Sequence, residues 1–235
     1  MGTIFWNEVP SYNLNIQVER YPSQDGPQRL FETIQVPGKN GTLTIDSGAF
    51  SNYQQTYEIY FNANVKKTPM VSREIKKWLL LPIGYQRLED TYEPEVFRLA
   101  RYNGPVQIEN IMNLFGRMIL TFDCQPQRWL KSGEYPVIFL QEGELVNEWF
   151  PALPIIKVNG NGPGKLYIGR YTAQINVIDD FIILDSATQN AYKDTQNKNG
   201  DISIADFPVL QSGISPISWD GGITSIEITP RWWTL

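Results

Sequence analysis

Histidine is absent from this 235-residue chain, and cysteine occurs once, as Cys124. Without imidazole no Ser-His-Asp or Cys-His relay can be assembled and no HExxH or Cys/His zinc site has its ligands. A single thiol cannot close an intrachain disulfide. The chemistry that survives would have to use carboxylates, lysine, tyrosine or an oxygen-ligated metal. No Asp or Glu sits in a motif that singles it out, so no catalytic residue, cofactor or metal is expected. Cys124 falls on the alternation Met118, Leu120, Phe122, Cys124, the inward face of a predicted strand, where a thiol is a core residue and not a nucleophile.

Long apolar runs are lacking too. None approaches the roughly 20 residues that cross a bilayer, and residues 1–10 have neither the basic start nor the apolar centre of a secretion signal. The expectation is a soluble product of the cytosol, with no membrane partner. Clustered positive charge is equally scarce: the longest runs are Lys66-Lys67 and Lys76-Lys77, in a chain with 25 acidic and 20 basic residues and a formal charge of -5. Tight DNA or RNA binding draws its affinity from counterions released by grouped Lys and Arg, and it is not expected here.

What is present describes a globular, mainly β protein. With 42% hydrophobic and 19% charged residues, both halves of the chain can bury a core. Between Phe31 and Phe61 an apolar run breaks at Val36-Pro37-Gly38-Lys39-Asn40-Gly41 and resumes as Thr42-Leu43-Thr44-Ile45-Asp46. Proline presets one φ and glycine accepts a positive one, so the stretch reads as a hairpin. Tyr57, Ile59 and Phe61 then alternate with polar positions, and further strands are predicted at Leu99 to Tyr102, after a turn over Asp90 to Pro94, and at Arg117 to Cys124. One helix is predicted to begin near Ser72 with Glu74 in its first turn. It places Ile75, Trp78 and Leu79 on one face and Lys76-Lys77 on the other, and Pro82 stops it.

Apolar periodicity falls away around Pro126, Pro136 and residues 141–144, which sets a domain limit near residue 140 and gives domains 1–138 and 139–235. Beyond it, short strands between turn residues read as a second β-sandwich. Asp179-Asp180 joins two of them and reads as a tight turn, not a carboxylate dyad. Residues 195–206 imitate a calcium loop, but Thr195 stands at the first ligand position and Asp206 at the last, so an asparagine-rich hairpin loop is favoured. Gly160, Gly162 and Gly164 read as a loop, since strand residues follow where a phosphate-binding fingerprint needs a helix. Trp129, Trp149, Trp219, Trp232 and Trp233 either fill sandwich cores and interfaces or offer sugar-stacking platforms.

These segments, taken in order, resemble the distal tail protein (Dit) family of long-tailed, Siphoviridae-like phages and prophages of Gram-positive bacteria. The resemblance is carried by Val36, Pro37, Gly38 and Gly41 in the turn and by Trp78 and Leu79 at the end of the helix. It continues through Leu88-Glu89-Asp90 with Tyr92-Glu93-Pro94-Glu95, and through Phe122, Cys124 and Pro126 at a strand end. In the second half it runs through Pro154 to Gly160, Ile183 to Ser186, Phe207 and Pro208 with Val209-Leu210, Gly213, and the closing Pro230-Arg231-Trp232-Trp233.

The resemblance implies a virion structural component at the distal end of the tail, made in the host cytoplasm. It implies an N-terminal β-sandwich with one helix that builds a homo-hexameric ring around a central channel for DNA, as one ring or two stacked. The C-terminal domain is similar to a galectin fold. It implies as partners the major tail tube protein, the tape measure protein, the tail-associated lysin or tail spike protein, and receptor-binding or baseplate proteins. A closed ring needs one edge of each subunit to meet a different edge of the next. The candidate inter-subunit arm spans Lys39 to Gln55, with Asp46, Gly48 and Asn52 as its candidate residues; Gly41, Gly48, Asn52 and the Gln54-Gln55 pair dilute the apolar pattern there. The competing reading is a carbohydrate-binding tandem β-sandwich, for which exposed, coplanar tryptophans are expected.

Overall fold

A computed structural model describes residues 2–62, 68–102, 104–111 and 115–235; the Lys66-Lys67 pair lies outside them. The chain is mainly β and divides into two compact units, the first ending at Arg128 and the second running from Trp129 to Thr234. The division falls upstream of the limit read from the sequence because Val137–Phe139 already pair with the sheet of the second unit; the strand expected to stop at Cys124 continues through Pro126 to Leu130. On the β6 side the pairing of this strand ends at Cys124, so Pro126 breaks no ladder bond to β6.

In the first unit the order is β1 (Ile4–Trp6), β2 (Val9–Pro10), β3 (Ile16–Val18), β4 (Arg29–Gln35), β5 (Thr42–Phe50) and β6 (Tyr53–Asn62). Helix α1 (Thr68–Leu80) precedes β7 (Gln86–Asp90), β8 (Val96–Tyr102), β9 (Glu109–Ile111) and β10 (Phe115–Leu130). One continuous sheet, ordered β2-β1-β7-β8-β10-β6-β3, wraps a single core. The helix starts four residues before Ser72, with Pro69 just inside it, where a preset φ helps and a missing N–H costs nothing. Glu74 therefore lies beyond the first turn, which carries no acidic residue. Ile75, Trp78 and Leu79 are buried as the helical spacing requires. Phe122 is the aromatic centre of this core, with Trp6, Tyr102 and Tyr57 at ring-centroid distances of 4.9, 5.4 and 6.1 Å.

A charged network is buried beside these rings. The Arg98 side chain, on the inward face of β8, is only 2% exposed. Its Nε donates to the Tyr53 hydroxyl at 3.1 Å, Nη1 to Asp90 Oδ2 at 3.3 Å and Nη2 to Glu93 Oε2. Asp90 also accepts from the Tyr57 hydroxyl at 2.7 Å and from the amides of Tyr92 and Glu93 at 2.8 and 3.0 Å. Glu93 in turn takes Nη1 of Arg128 at 3.2 Å. Burial opposes the Arg98 charge, but Tyr57, Tyr53, Asp90 and Glu93 together hold its pKa above the ordinary value. Burial, then Asp90, push the Tyr57 phenol well above its own.

The second unit comprises β11 (Val137–Phe139), β12 (Gly143–Asn147), β13 (Ile155–Ile168), β14 (Tyr171–Asp185), β15 (Asn190–Lys193), β16 (Gln196–Asn197), β17 (Ile202–Ile204), β18 (Gly213–Thr229) and β19 (Trp233–Thr234). Three long strands dominate: β13 pairs antiparallel with β14 on one side and β18 on the other over nearly its whole length. Their two ends have different neighbours. The later half of β14 pairs β15 and its earlier half β17, while β18 pairs β12 with its first residues and β11 with its last.

Two sequence expectations change here. Gly160, Gly162 and Gly164 are not a loop, and Asp179-Asp180 is not a turn between strands; all five lie inside β13 and β14, opposite one another. They mark a bend where the register shifts between Gly162 and Gly164 on β13, with Asp180 at a positive φ of 69°. Such bulges kink paired strands and let both halves of a long strand turn alternate apolar residues inward. Ile156, Val158, Leu166 and Ile168 are accordingly buried on either side of the bend. The strands approach closely at that point: a Cβ at Gly222 would lie 1.9 Å from the Asn161 carbonyl oxygen, and one at Gly160 2.1 Å from that of Gly222. The asparagine-rich loop is as read from the sequence. Asn197 Oδ1 accepts from the Asn199 amide and Asn199 Oδ1 from the Ala191 amide, at 2.9 and 2.6 Å, so both oxygens serve the hairpin.

Two substitutions test these cores. Gly222→Ala drives a methyl into main chain and is expected to destabilise the second unit by about 2 kcal/mol, lowering its melting temperature by about 10 °C in calorimetry. Arg98→Met leaves Asp90 buried without its cation, while Glu93 keeps Arg128, and is expected to cost the first unit about 3 kcal/mol in urea unfolding.

Candidate assembly surface

One element of the first unit joins neither large sheet. Strands β4 and β5 pair only with each other, antiparallel, with Phe31 opposite Asp46, Ile34 opposite Leu43 and Gln35 opposite Thr42. The Val36-Pro37-Gly38-Lys39-Asn40-Gly41 segment forms the tip, with Gly38 and Gly41 at φ of 77° and 83° and the Lys39 amide donating to the Val36 carbonyl. These are the left-handed conformations that called for glycine in the sequence.

Directly opposed residues share a face of a hairpin. Ile34, Leu43 and Ile45 therefore lie on one side with Val36 continuing the alternation, while Thr33, Thr44, Gln35 and Thr42 lie on the other. Every residue from Arg29 to Ala49 is exposed, the apolar ones included. An isolated two-stranded hairpin is marginal in water, and an apolar face left on one is a surface made to be covered.

The sequence placed the arm at Lys39 to Gln55; the hairpin begins earlier, at Arg29, because β4 belongs to it. Gly48, at φ of 69°, sits in a bulge where the Ser47 hydroxyl donates to the Leu30 carbonyl at 2.7 Å. Asp46 accepts the Gly48 amide at 2.9 Å and pairs with Arg29 at 2.5 Å; the Arg29 bond, then that amide, lower its pKa. Asn52 belongs to the base. Its amide donates to the Tyr85 hydroxyl at 2.7 Å and to Asp123 at 3.1 and 3.2 Å, tying the root of the hairpin to the main sheet. The Ser51 amide adds a bond of 2.8 Å to the Gln28 carbonyl. Asp46 and Gly48 shape the hairpin, then, while its exposed chemistry is the Ile34, Leu43 and Ile45 face. Sequence reasoning missed that face, although its period-2 pattern is visible.

The remaining positions that carry the resemblance are structural and are not brought together in one place. Trp78, Leu79, Phe122 and Cys124 line the first core, and Pro126 lies further along β10. Phe207, Pro208 and Gly213 belong to the second unit. Of the tryptophans, Trp149 is exposed and Trp232 is buried, while Trp233 stacks on Phe150 at 4.7 Å and its Nε1 donates to the Pro151 carbonyl. Among the described residues no group of His, Cys, Asp or Glu is arranged to hold a metal ion, and no helix is long and apolar enough to cross a membrane.

No family model and no curated protein matches this sequence. Its fold is that of the SPP1 Dit (gp 19.1) protein, whose crystal structure is presented as a paradigm of hub adsorption apparatus in Gram-positive infecting phages. The likeness has a TM-score of 0.78 and covers 100% of both chains at 9% sequence identity. At that identity the likeness is one of fold: a mainly β, two-unit Dit-like architecture.

Burial pushes the Cys124 thiol up to about 12, so it stays protonated and enclosed at neutral pH. Ellman's reagent is expected to detect no free thiol in the native protein at pH 8 and one equivalent after denaturation in guanidinium.

Proposed function

We propose that the chain is a non-enzymatic structural component of a phage tail tip, acting as the hub of the baseplate. The observation that carries this reading is the end-to-end likeness to the SPP1 Dit hub protein across both units. In this reading the first unit closes a homo-hexameric ring, single or stacked in pairs, around a channel for DNA, and the galectin-like second domain faces outward. The ring joins the tail tube and tape measure proteins on one side to the tail-associated lysin or tail spike on the other, with receptor-binding or baseplate proteins at its rim. The functional domains stay at 1–138 and 139–235, and the virion tail is the place of work. A net charge of -5 suits a conduit that must let phosphate groups pass without holding them.

The β4–β5 hairpin is the proposed arm, laying its Ile34, Leu43 and Ile45 face on the neighbouring subunit. Strand edges on both its sides are open to pairing with another chain. Heterologous contact of this kind closes a ring when the rotation between subunits divides a full turn.

Negative-stain microscopy with light scattering tests the proposal. Rings of about 162 kDa, six copies of a 27.0 kDa chain, are expected, or twice that for stacked rings. The triple substitution Ile34→Ser, Leu43→Ser, Ile45→Ser is expected to give a folded monomer, with the circular dichroism of the wild type and a melting temperature lowered by the loss of assembly. A wild-type chain that remains monomeric up to millimolar concentration would overturn self-assembly, and a variant that still forms rings would overturn the arm.

A further inference from the structure

The chain repeats one dipeptide that is chemically labile in water. In an Asn-Gly pair the main-chain nitrogen of glycine can reach the side-chain amide carbon of asparagine and close a five-membered ring, because the glycine has no Cβ to stand in the way. The pairs are Asn40-Gly41, Asn103-Gly104, Asn159-Gly160, Asn161-Gly162 and Asn199-Gly200; Asn103 lies outside the described residues. Composition treats them alike, whereas the fold separates them by what holds each asparagine in place.

Three of them are held. Asn159 Nδ2 donates to Ser225 Oγ at 3.1 Å and to Glu227 Oε1 at 3.0 Å, and a Cβ at Gly160 would lie 2.1 Å from the Gly222 carbonyl oxygen, so β18 walls in that glycine. Asn199 is fixed at both ends of its amide: Oδ1 accepts from the Ala191 amide at 2.6 Å and Nδ2 donates to Asn190 Oδ1 at 3.1 Å. Asn161 Oδ1 accepts from the Asp180 amide at 3.4 Å, and Asn161 and Gly162 are both paired with β14, opposite Asp179 and Ile178. Asn40 differs on each count. It is exposed between the end of β4 and the start of β5, and among the described residues its side chain meets no hydrogen-bond partner. Gly41, at its φ of 83°, has open space around it, with nothing within 4 Å of the place a Cβ would take.

We propose that Asn40 is a site of spontaneous deamidation. The Gly41 nitrogen, its proton taken by hydroxide, forms a bond to Asn40 Cγ; the Cγ–Nδ2 bond breaks, and the nitrogen leaves as ammonia with a proton returned by water. Water then adds across one of the two C–N bonds of the resulting succinimide. Cleavage at Cγ gives aspartate at position 40, and cleavage at the main-chain carbonyl gives isoaspartate. Either product sets a new negative charge beside Lys39. Isoaspartate also carries the main chain through one extra carbon, and since loop length sets the register of a hairpin, it loosens the Gln35 and Thr42 pairing at the tip. The proposal concerns the hairpin that the hub reading uses as its arm, but does not depend on that reading.

Peptide mapping by mass spectrometry tests it on the full-length chain held at 37 °C for two weeks at pH 7.4 and at pH 9, with isoaspartyl methyltransferase labelling as a second readout. Conversion of amide to acid at Asn40 is expected, faster at pH 9 because base must remove the Gly41 amide proton, together with methyl label at that position. Each hydrogen bond that has to break before attack slows it by about fivefold, so Asn159 and Asn199, with two each, are expected to lag Asn40 by about tenfold or more. Asn40→Gln could close only a less favoured six-membered ring; it is expected to lose both signals at position 40 with its melting temperature unchanged. No conversion at Asn40 in two weeks at pH 9, a rate indifferent to pH, or faster conversion at Asn159, Asn161 or Asn199 would overturn the proposal. Ring formation is read by mass on fresh protein, so failure of one reading leaves the other standing.

Discussion

The first unit rests on the burial of a full positive charge. Removing the Arg98 guanidinium from water costs several kcal/mol unless anions and hydrogen-bond acceptors meet it inside. Those partners arrive from four places: Asp90 at the end of β7, Glu93 in the following turn, Tyr53 and Tyr57 on β6, and Arg128 on β10 through its shared contact with Glu93. The network thereby couples strand register to turn shape. A slip of one residue on β8 would point Arg98 at solvent and Phe97 and Leu99 at the carboxylates, so no neighbouring register satisfies both. The Asp90 to Pro94 segment has its form because Asp90 caps two amides with one oxygen and meets Arg98 and Tyr57 with the other.

The second unit has no comparable charge at its centre and is organised by main-chain proximity. Strands of 14, 15 and 17 residues are longer than a compact domain can use straight, and each bends at the same level. Glycines on β13 and β18 allow backbones to approach where side chains cannot stand. The two halves of β14 and of β18 on either side of the bend have different neighbours.

The β4–β5 hairpin obeys neither organising principle. It carries a strand's alternation but gives its apolar face nothing within the subunit to bury against, while its root is tied down by Asn52, Tyr85 and Asp123. A rigid root beneath an uncovered hairpin separates two tasks. The apolar face of the hairpin contributes nothing to the core of the unit, and in the proposed assembly its burial energy is available for contact with another surface. The proposed assembly would draw on that division, since a face already buried within the subunit has no free energy left for a neighbour.

Patterns set by neighbouring residues are legible in the sequence itself. The absence of histidine and the lone Cys124 remove most catalytic chemistries, the Pro-Gly and Asn-Gly pair locates the hairpin tip, and helical spacing picks out Ile75, Trp78 and Leu79. The order of small motifs points to the Dit-like fold. Each rests on local geometry: a φ that only certain residues adopt, or a period of 2 or 3.6. Relations between distant segments leave no such mark. Arg98 reads as one more surface cation because its anions lie on other elements. Gly160 to Gly164 and Asp179-Asp180 read as loops because a bulge in a long strand has the same composition as a turn, and only the pairing of β13 with β14 and β18 distinguishes them. Most strands, the helix and the excluded chemistries thus follow from the order of residues, since backbone sterics and the side-chain inventory are local properties. Which charge is buried, where long strands bend and which apolar face is left uncovered follow only from the folded chain, because each depends on what distant residues place opposite.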